Sequence, residues 1–377
     1  MRRVCLSLLG IWLVLWAGAC GPRPPETPSP PPETPATAPE SPPSPAGSPG
    51  SPQAGGSPVG DLVVAMVTDV GGLGDQSFND SAYRGLKQAE AELGVQVQVM
   101  ESKEQSDYET NLSSLAEKGT DLVFAVGFMM TDSVKETAPQ YPETNFAIID
   151  GAISEDDLKK LPNVTQIKFK EEEGSYLVGL LAGAMTRSNK VGFVGGQKSP
   201  LIEKFEAGYK AGVKTANPKA EVLVAYTDSF VDQAKGKEQA LALFNKDADI
   251  VFHASGACGL GVIAAAKEKG EGFYAIGVDS DQDSVAPGRV LTSMMKYVDK
   301  AVFATVQDLK NGRIRHGTQV YGVKEGGVGL SPMTHTKDKV PPEVMAKVKK
   351  LQESIASGKL TIPDTLEKLK SFTPPAF

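Results

Sequence analysis

Short runs of β-branched residues alternate with longer amphipathic stretches from Asp61 to about Leu309, and this rhythm constrains the chain more than any other feature. A strand, a covering helix and another strand, repeated at this spacing, force neighbouring strands to run parallel in a sheet buried on both faces. The pattern predicts strands over residues 62–68, 95–100, 121–126, 145–149, 164–169, 190–194, 221–226, 250–253, 273–278 and 290–295. Helices are predicted between them, over 79–93, 108–118, 131–138, 171–186, 200–215, 232–245, 259–269 and 297–311. The rhythm also restarts: a strand, a Gly-rich turn and a helix open both the first half and, at Lys190, the second. An α/β fold of two doubly wound parallel-sheet lobes follows, with a ligand cleft between them at the carboxyl ends of the strands.

The N-terminus precedes this body with a different composition. Arg2 and Arg3 are followed by an apolar run to Trp16 and by Ala17-Gly18-Ala19-Cys20, the order of a secretion signal too short for a permanent span. Small residues directly before a cysteine resemble a bacterial lipobox, in which Cys20 is acylated and becomes the new N-terminus; an ordinary signal peptide with an incidental cysteine is the plainer alternative. Residues 21–58 are almost entirely Pro, Ser, Thr, Ala, Gly and Glu, which cannot build a core and read as a tether. The expected organisation is a signal peptide at 1–19, a lipidated Cys20 and tether over 20–59, a bilobal domain over 60–345, and a terminal helix and tail over 346–377. Within the bilobal domain the first lobe is expected to take about 60–165 plus 279–325, and the second about 166–278 plus the C-terminal part. With Cys5 removed and Cys20 acylated, Cys258 stands alone, so no internal disulfide is expected.

Several function classes recede on composition and spacing. A formal net charge of −7, with no basic stretch interleaved with aromatics, argues against a nucleic-acid surface. The three histidines, His253, His316 and His335, have no ligand-spaced companions, so no metal or other cofactor is expected. Ser255 lies near His253, but the Gly-x-Ser-x-Gly elbow is missing and a buried strand histidine is the simpler account; the chain reads as no enzyme. Gly192 to Ser199 superficially suggests a phosphate loop, yet Gln197 holds an obligatory glycine position and Pro200 suits the first residue of a helix.

Two acidic turns carry the interest. Thr68-Asp69-Val70-Gly71-Gly72-Leu73-Gly74-Asp75-Gln76-Ser77-Phe78-Asn79 leaves the first strand and enters the first helix. Its glycines approach a dinucleotide fingerprint, but Asp69 and Asp75 would repel a pyrophosphate. A neutral ligand with donor groups and a flat face suits the segment, as does the plainer reading of Phe78 as core and Asp69 as a turn cap. The turn Asp279-Ser280-Asp281-Gln282-Asp283 ends a later apolar strand, where acids either solvate a turn or face Ser293 and Lys296 across a site.

In their order these motifs resemble the basic membrane protein family, bacterial lipoproteins that bind purine nucleosides for an ABC-type importer. The resemblance runs from Leu62 to Val302 and includes Tyr141-Pro142, Ile149-Asp150, Glu171 to Gly183, Gly192-Phe193-Val194-Gly195-Gly196, Ala254-Ser255-Gly256 and Ser293-Met294-Met295-Lys296. It implies a periplasmic-binding-protein-like fold of type I, a purine nucleoside ligand, permease partners, a monomer, and a lipid anchor outside the cytoplasmic membrane. It also implies that Asp69 hydrogen-bonds the base with Asn79 as its neighbour in the same ligand-binding loop, that Phe78 and Phe230 stack on the base's faces, that Asp150 and Gly256 line the cleft, and that Asp279 and Lys296 hold the ribose hydroxyls. A sugar or sugar-derived signal on the same clamp, or a sensory lipoprotein that presents its ligand, are the alternatives.

Overall fold

The computed structural model describes residues 62–377; the expected signal peptide, Cys20 and the Pro-rich tether lie outside the described residues. The first half runs β1 (Val63–Thr68), α1 (Phe78–Leu93), β2 (Gln96–Met100), α2 (Asp107–Glu117), β3 (Leu122–Val126), α3 (Thr131–Thr137), β4 (Asn145–Ile149), α4 (Glu155–Leu158) and β5 (Val164–Phe169). The second runs α5 (Glu171–Met185), β6 (Lys190–Gly195), α6 (Pro200–Ala216), β7 (Glu221–Tyr226), α7 (Gln233–Phe244), β8 (Ile250–Ala254), α8 (Cys258–Lys269), β9 (Tyr274–Asp279) and β10 (Val290–Lys296). The chain then adds α9 (Val298–Lys310), β11 (Gly317–Tyr321), β12 (Val328–Leu330), α10 (Pro342–Ala356) and α11 (Leu366–Ser371).

Two sheets result, ordered β11-β5-β4-β3-β1-β2 and β12-β10-β9-β8-β6-β7. Apart from the antiparallel β12, every pairing is parallel. Each lobe repeats one winding, with its first strand second from one edge of the five-strand core and a switch point between the first and third strands in sequence. Alternate residues of β1 serve opposite faces: Val64 and Met66 join the core shared by both lobes, while Ala65 and Val67 join an outer core of the first lobe. Burial on both faces is why these strands read as continuous apolar runs.

Local chemistry sets the helix ends. Ser199 accepts the Ile202 N–H and Pro200 occupies the first helical position of α6, as its place after the turn suggested. Gly94, at φ 65°, closes α1 with a bond from its N–H to the Glu90 carbonyl. Helices α5 and α6 meet backbone to backbone: a Cβ at Gly212 would lie 2.2 Å from the Tyr176 carbonyl oxygen, and one at Gly179 2.3 Å from that of Tyr209. Only glycine permits that approach.

The lobe expectation needs one correction. Residues 279–325 were expected to return to the first lobe, but β10 pairs with β9 in the second sheet, because its apolar run continues that sheet's parallel order. Only then does the chain cross back, through α9, which packs on α1 where Ser81 Oγ accepts the Asp299 N–H at 3.3 Å, and through β11, which pairs with β5. The chain therefore passes between the lobes at Lys170, at Tyr297 and over residues 322–327. Backbone bonds stitch these passages together, Lys170 N–H to Tyr321 O at 3.0 Å and Tyr297 N–H to Gly327 O at 2.9 Å. The expected tail also holds more order than a boundary at residue 346 allows: α10 starts at Pro342, and α11 seats on α6 with the Leu366 N–H donating to Glu203 at 2.8 Å.

Candidate functional site

The carboxyl ends of the two sheets face a cavity whose empty space, open mouth included, is about 590 Å³. Asp69, Phe78, Asn79, Asp150, Phe230, Gly256, Asp279 and Lys296 all line it. Each leaves a strand end or enters a helix, which is where doubly wound sheets place their ligands.

The loop after β1 is held by its own carboxylates. Asp75 caps α1, accepting the N–H groups of Ser77 and Asn79 at 2.9 Å and of Asp80 at 3.2 Å, which satisfies donors that a helix start leaves open. Asp69 Oδ1 accepts from the Gly71 N–H at 2.8 Å and from Asn79 Nδ2 at 2.9 Å, leaving Oδ2 for another donor. Because Asn79 Nδ2 faces both Asp69 and Asp75, its Oδ1 is buried with no partner. Asp69 is thus both turn cap and cavity wall.

Two further acids stand at equivalent places in the two lobes. Asp150 follows β4 and Asp279 ends β9, the fourth strand of each winding, and both adopt a left-handed φ of 62°. Non-glycine residues rarely rest there, and the conformation turns both carboxyls toward the cavity at a backbone cost of roughly 1–3 kcal/mol each. Asp279 accepts from Ser77 Oγ at 2.6 Å, across the two lobes. Asp150 Oδ2 accepts from Lys296 Nζ at 2.6 Å, while its Oδ1 is buried without a partner.

Lys296 is 1% exposed and lies 3.0 Å from Glu171, which in turn is 3.0 Å from Lys204. Its ammonium stands 5.1, 5.0 and 5.7 Å from the ring centres of Phe78, Phe169 and Phe205. The sequence suggested Asp279 as the cation's companion; the direct partners are Asp150 and Glu171, brought in by β4 and by the crossover into α5. Phe230 is half-buried, its ring edge-on to Phe128 at 6.2 Å across the lobes. Turns at Gly196 and Gly256 make room for it, since a Cβ at Gly196 would sit 2.2 Å from the ring and Gly256 adopts φ 56°.

Acids outnumber cations here, and burial shows in their titration. Desolvation lifts Asp69 to about 6, against the pull of Asn79, and lifts Asp279 to about 7 despite the opposing Lys296. Burial and the neighbouring Glu171 push Glu172 to about 7. Burial opposes the charge on Lys296, yet Asp150, Glu171 and Asp279 prevail and hold it above the ordinary lysine value. Each raised acid binds a proton more tightly folded than unfolded, so it withdraws stability as pH rises through the folded value. His253, held down to about 4 by burial, acts in the opposite sense, but only below its unfolded value near 6.5. The melting temperature of the empty protein should therefore fall by a few degrees between roughly pH 6.5 and pH 8; scanning calorimetry across that interval checks it, and a flat or rising curve contradicts the burial of these acids.

Sequence reasoning passed over Phe128, Phe205 and Ser255, which also line the cavity. Phe128 had a readable signal, an aromatic directly after a glycine at a strand's carboxyl end; Phe205, a full turn into α6, belongs with Pro200 to the family pattern, which assigns it no contact. Among the described residues no helix is long and apolar enough to cross a membrane, and no group of three or more potential ligands could hold a metal.

Paired doubly wound sheets with a shared cavity at their strand ends define a two-lobed fold of the periplasmic-binding-protein type. A solved solute-binding protein of an ABC transporter system from Aeropyrum pernix K1 superimposes with a TM-score of 0.75 at 29% identity, over 82% of this chain and 96% of that one. Residues 62–366 match the model of the Bmp family, described as ABC transporter substrate-binding protein PnrA-like, and the chain belongs to that family. The CD4+ T-cell-stimulating antigen of Listeria monocytogenes is 38% identical over 324 residues, covering 81% of this chain and 88% of its own length. The ABC transporter nucleoside-binding protein BmpA of Lactococcus lactis is 35% identical over 323 residues, covering 80% and 89%. The family consists of binding proteins, not enzymes.

Proposed function

We propose that this protein is the receptor of an ABC-type importer for purine nucleosides, taking its ligand in the cleft between the lobes and held outside the cytoplasmic membrane by a lipid on Cys20. The observation that carries the reading is the cavity's imbalance of acceptors over donors beside aromatic walls. Asp69 Oδ2, Asn79 Oδ1 and Asp150 Oδ1 lack protein donors, and Asp279 has only Ser77. Ribose hydroxyls and purine N–H groups supply what these acceptors need, while the flat base meets Phe78 and Phe230. A phosphate would bring negative charge against four carboxylates with only Lys296 to offset it, so nucleosides are favoured over nucleotides. The printed name of the Lactococcus lactis relative supports the same ligand class.

Capture of the ligand by the folded state raises stability by mass action, about 2.7 kcal/mol at a hundredfold excess over Kd. Inosine, guanosine and adenosine should each raise the melting temperature, whereas AMP, ribose and amino acids should not. A shift with ribose or an amino acid and none with the three nucleosides would discard the assignment.

A further inference from the structure

The second lobe carries a hydrogen-bond chain that this recognition scheme leaves unused. His253, in β8, is buried, and its ring lies against α8 so closely that a Cβ at Gly259 would stand 1.9 Å from Cε1. Its Nε2 is 2.9 Å from Gln282 Oε1, and its Nδ1 is 3.5 Å from Ser255 Oγ. Gln282 has only one way round. Its Oε1 accepts the Val278 N–H at 3.0 Å, and its Nε2 donates at 3.2 Å to the carbonyl of Gln76, a first-lobe residue. A backbone N–H can only donate and a carbonyl can only accept, so the atom facing His253 is the oxygen.

The consequences run inward to the cavity. An amide oxygen opposite Nε2 requires that nitrogen to carry the proton. Burial holds the imidazole neutral at pH 7, with its pKa down to about 4, so Nδ1 is then bare and acts as an acceptor. The Ser255 hydroxyl, buried on the cavity wall, turns its proton to Nδ1 and keeps its lone pairs for the cavity. We propose that Ser255 is a specificity residue for the bound ligand, an acceptor whose polarity is set by His253 and Gln282 and which selects a ligand N–H or O–H over an acceptor at the same place. The identity of that ligand rests on the nucleoside reading; the polarity of the hydroxyl does not. Serine, histidine and glutamine here form an aiming device with no chemistry of its own, which accounts for a Ser–His pair in a binding protein.

Nitrogen-15 NMR of the histidine-labelled protein reads the tautomer without any ligand, and the expected form is Nε2–H with an unprotonated Nδ1. Ser255→Ala should weaken inosine binding roughly tenfold, as loss of one hydrogen bond to a buried donor does, while Ser255→Thr, which keeps the hydroxyl, should bind nearly as the parent does. In a Gln282→Met background, where either tautomer is open, Ser255→Ala should cost clearly less. Melting curves confirm that each variant is folded, and a purely structural role for Ser255 would move those curves while leaving affinity unchanged. An Nδ1–H tautomer in the parent, or folded Ser255→Ala that binds inosine within twofold of the parent, overturns the proposal. If the tautomer is Nε2–H and inosine fails to bind, the nucleoside reading falls and the aiming device stands; the same variants are then titrated with the compound that the thermal screen selects.

Discussion

Replacing Lys296 with methionine is expected to destabilise the protein by about 3–5 kcal/mol at pH 8, the cost of leaving buried charges without their partner. Methionine keeps much of the aliphatic length among Phe78, Phe169 and Phe205, so the loss measures charge more than packing. Asp150 would then have no cation, and Glu171 only Lys204. The pH dependence identifies the cause. Without Lys296 the folded-state pKa of Asp150, already raised by burial, rises further, and that of Glu171, which against its burial Lys296 and Lys204 hold below the ordinary value, moves up as well, so the folded form takes up protons more readily and the penalty is relieved as pH falls. Urea unfolding of Lys296→Met and of the parent at pH 8 and pH 5 should show the difference shrinking at pH 5. A loss below about 1 kcal/mol at pH 8, or an equal loss at both values, would mean that this pair contributes as little as an exposed one.

Phe78→Ala should weaken every purine nucleoside by roughly 1–3 kcal/mol through lost stacking, while any affinity for free ribose stays where it was. Asp279→Ala should act at the other end of the ligand, lowering nucleoside affinity with little effect on free bases. Because Asp279 also receives the Ser77 hydroxyl across the lobes, its removal should cost the empty protein about 1 kcal/mol as well. Calorimetric titration with inosine, hypoxanthine and ribose separates the two ends. If Phe78→Ala lowers only the melting temperature of the empty protein, and Asp279→Ala changes nothing, then one is core and the other a solvated turn, and the site is elsewhere.

Most of the architecture was legible because hydrophobic periodicity is local. Ten strands and eight helices fall within a residue or two of their predicted places, since β3 is apolar throughout, β8 is apolar but for His253, and α1 and α6 carry clear caps. What escaped depends on partners distant in sequence. Strand β11 is half-exposed, with Thr318 and Gln319 at its centre, and is a strand only because β5 lies beside it. The lobe that β10 joins was hidden for the same reason. The eight site residues named from the acidic turns and the family resemblance all reach one cavity, yet no spacing rule could show that Lys296 pairs with Asp150, 146 residues away, or that Ser255 is aimed by Gln282.

The edge strand β11 also dictates an order of assembly. Thr165 Oγ1 donates at 2.9 Å to the Arg315 carbonyl, 150 residues later, and α1 is roofed by α9. A chain synthesised from its N-terminus would thus wait roughly 10–30 s, at ordinary elongation rates, between the appearance of β5 and that of the strand that covers its edge. Throughout that interval the first lobe is an open template with bare backbone donors and acceptors, while the second lobe receives nearly all its strands. The half of the molecule made first is therefore still open when most of the second has been made. A fragment ending at Phe169 should expose that edge and self-associate, so the first lobe is not a detachable module.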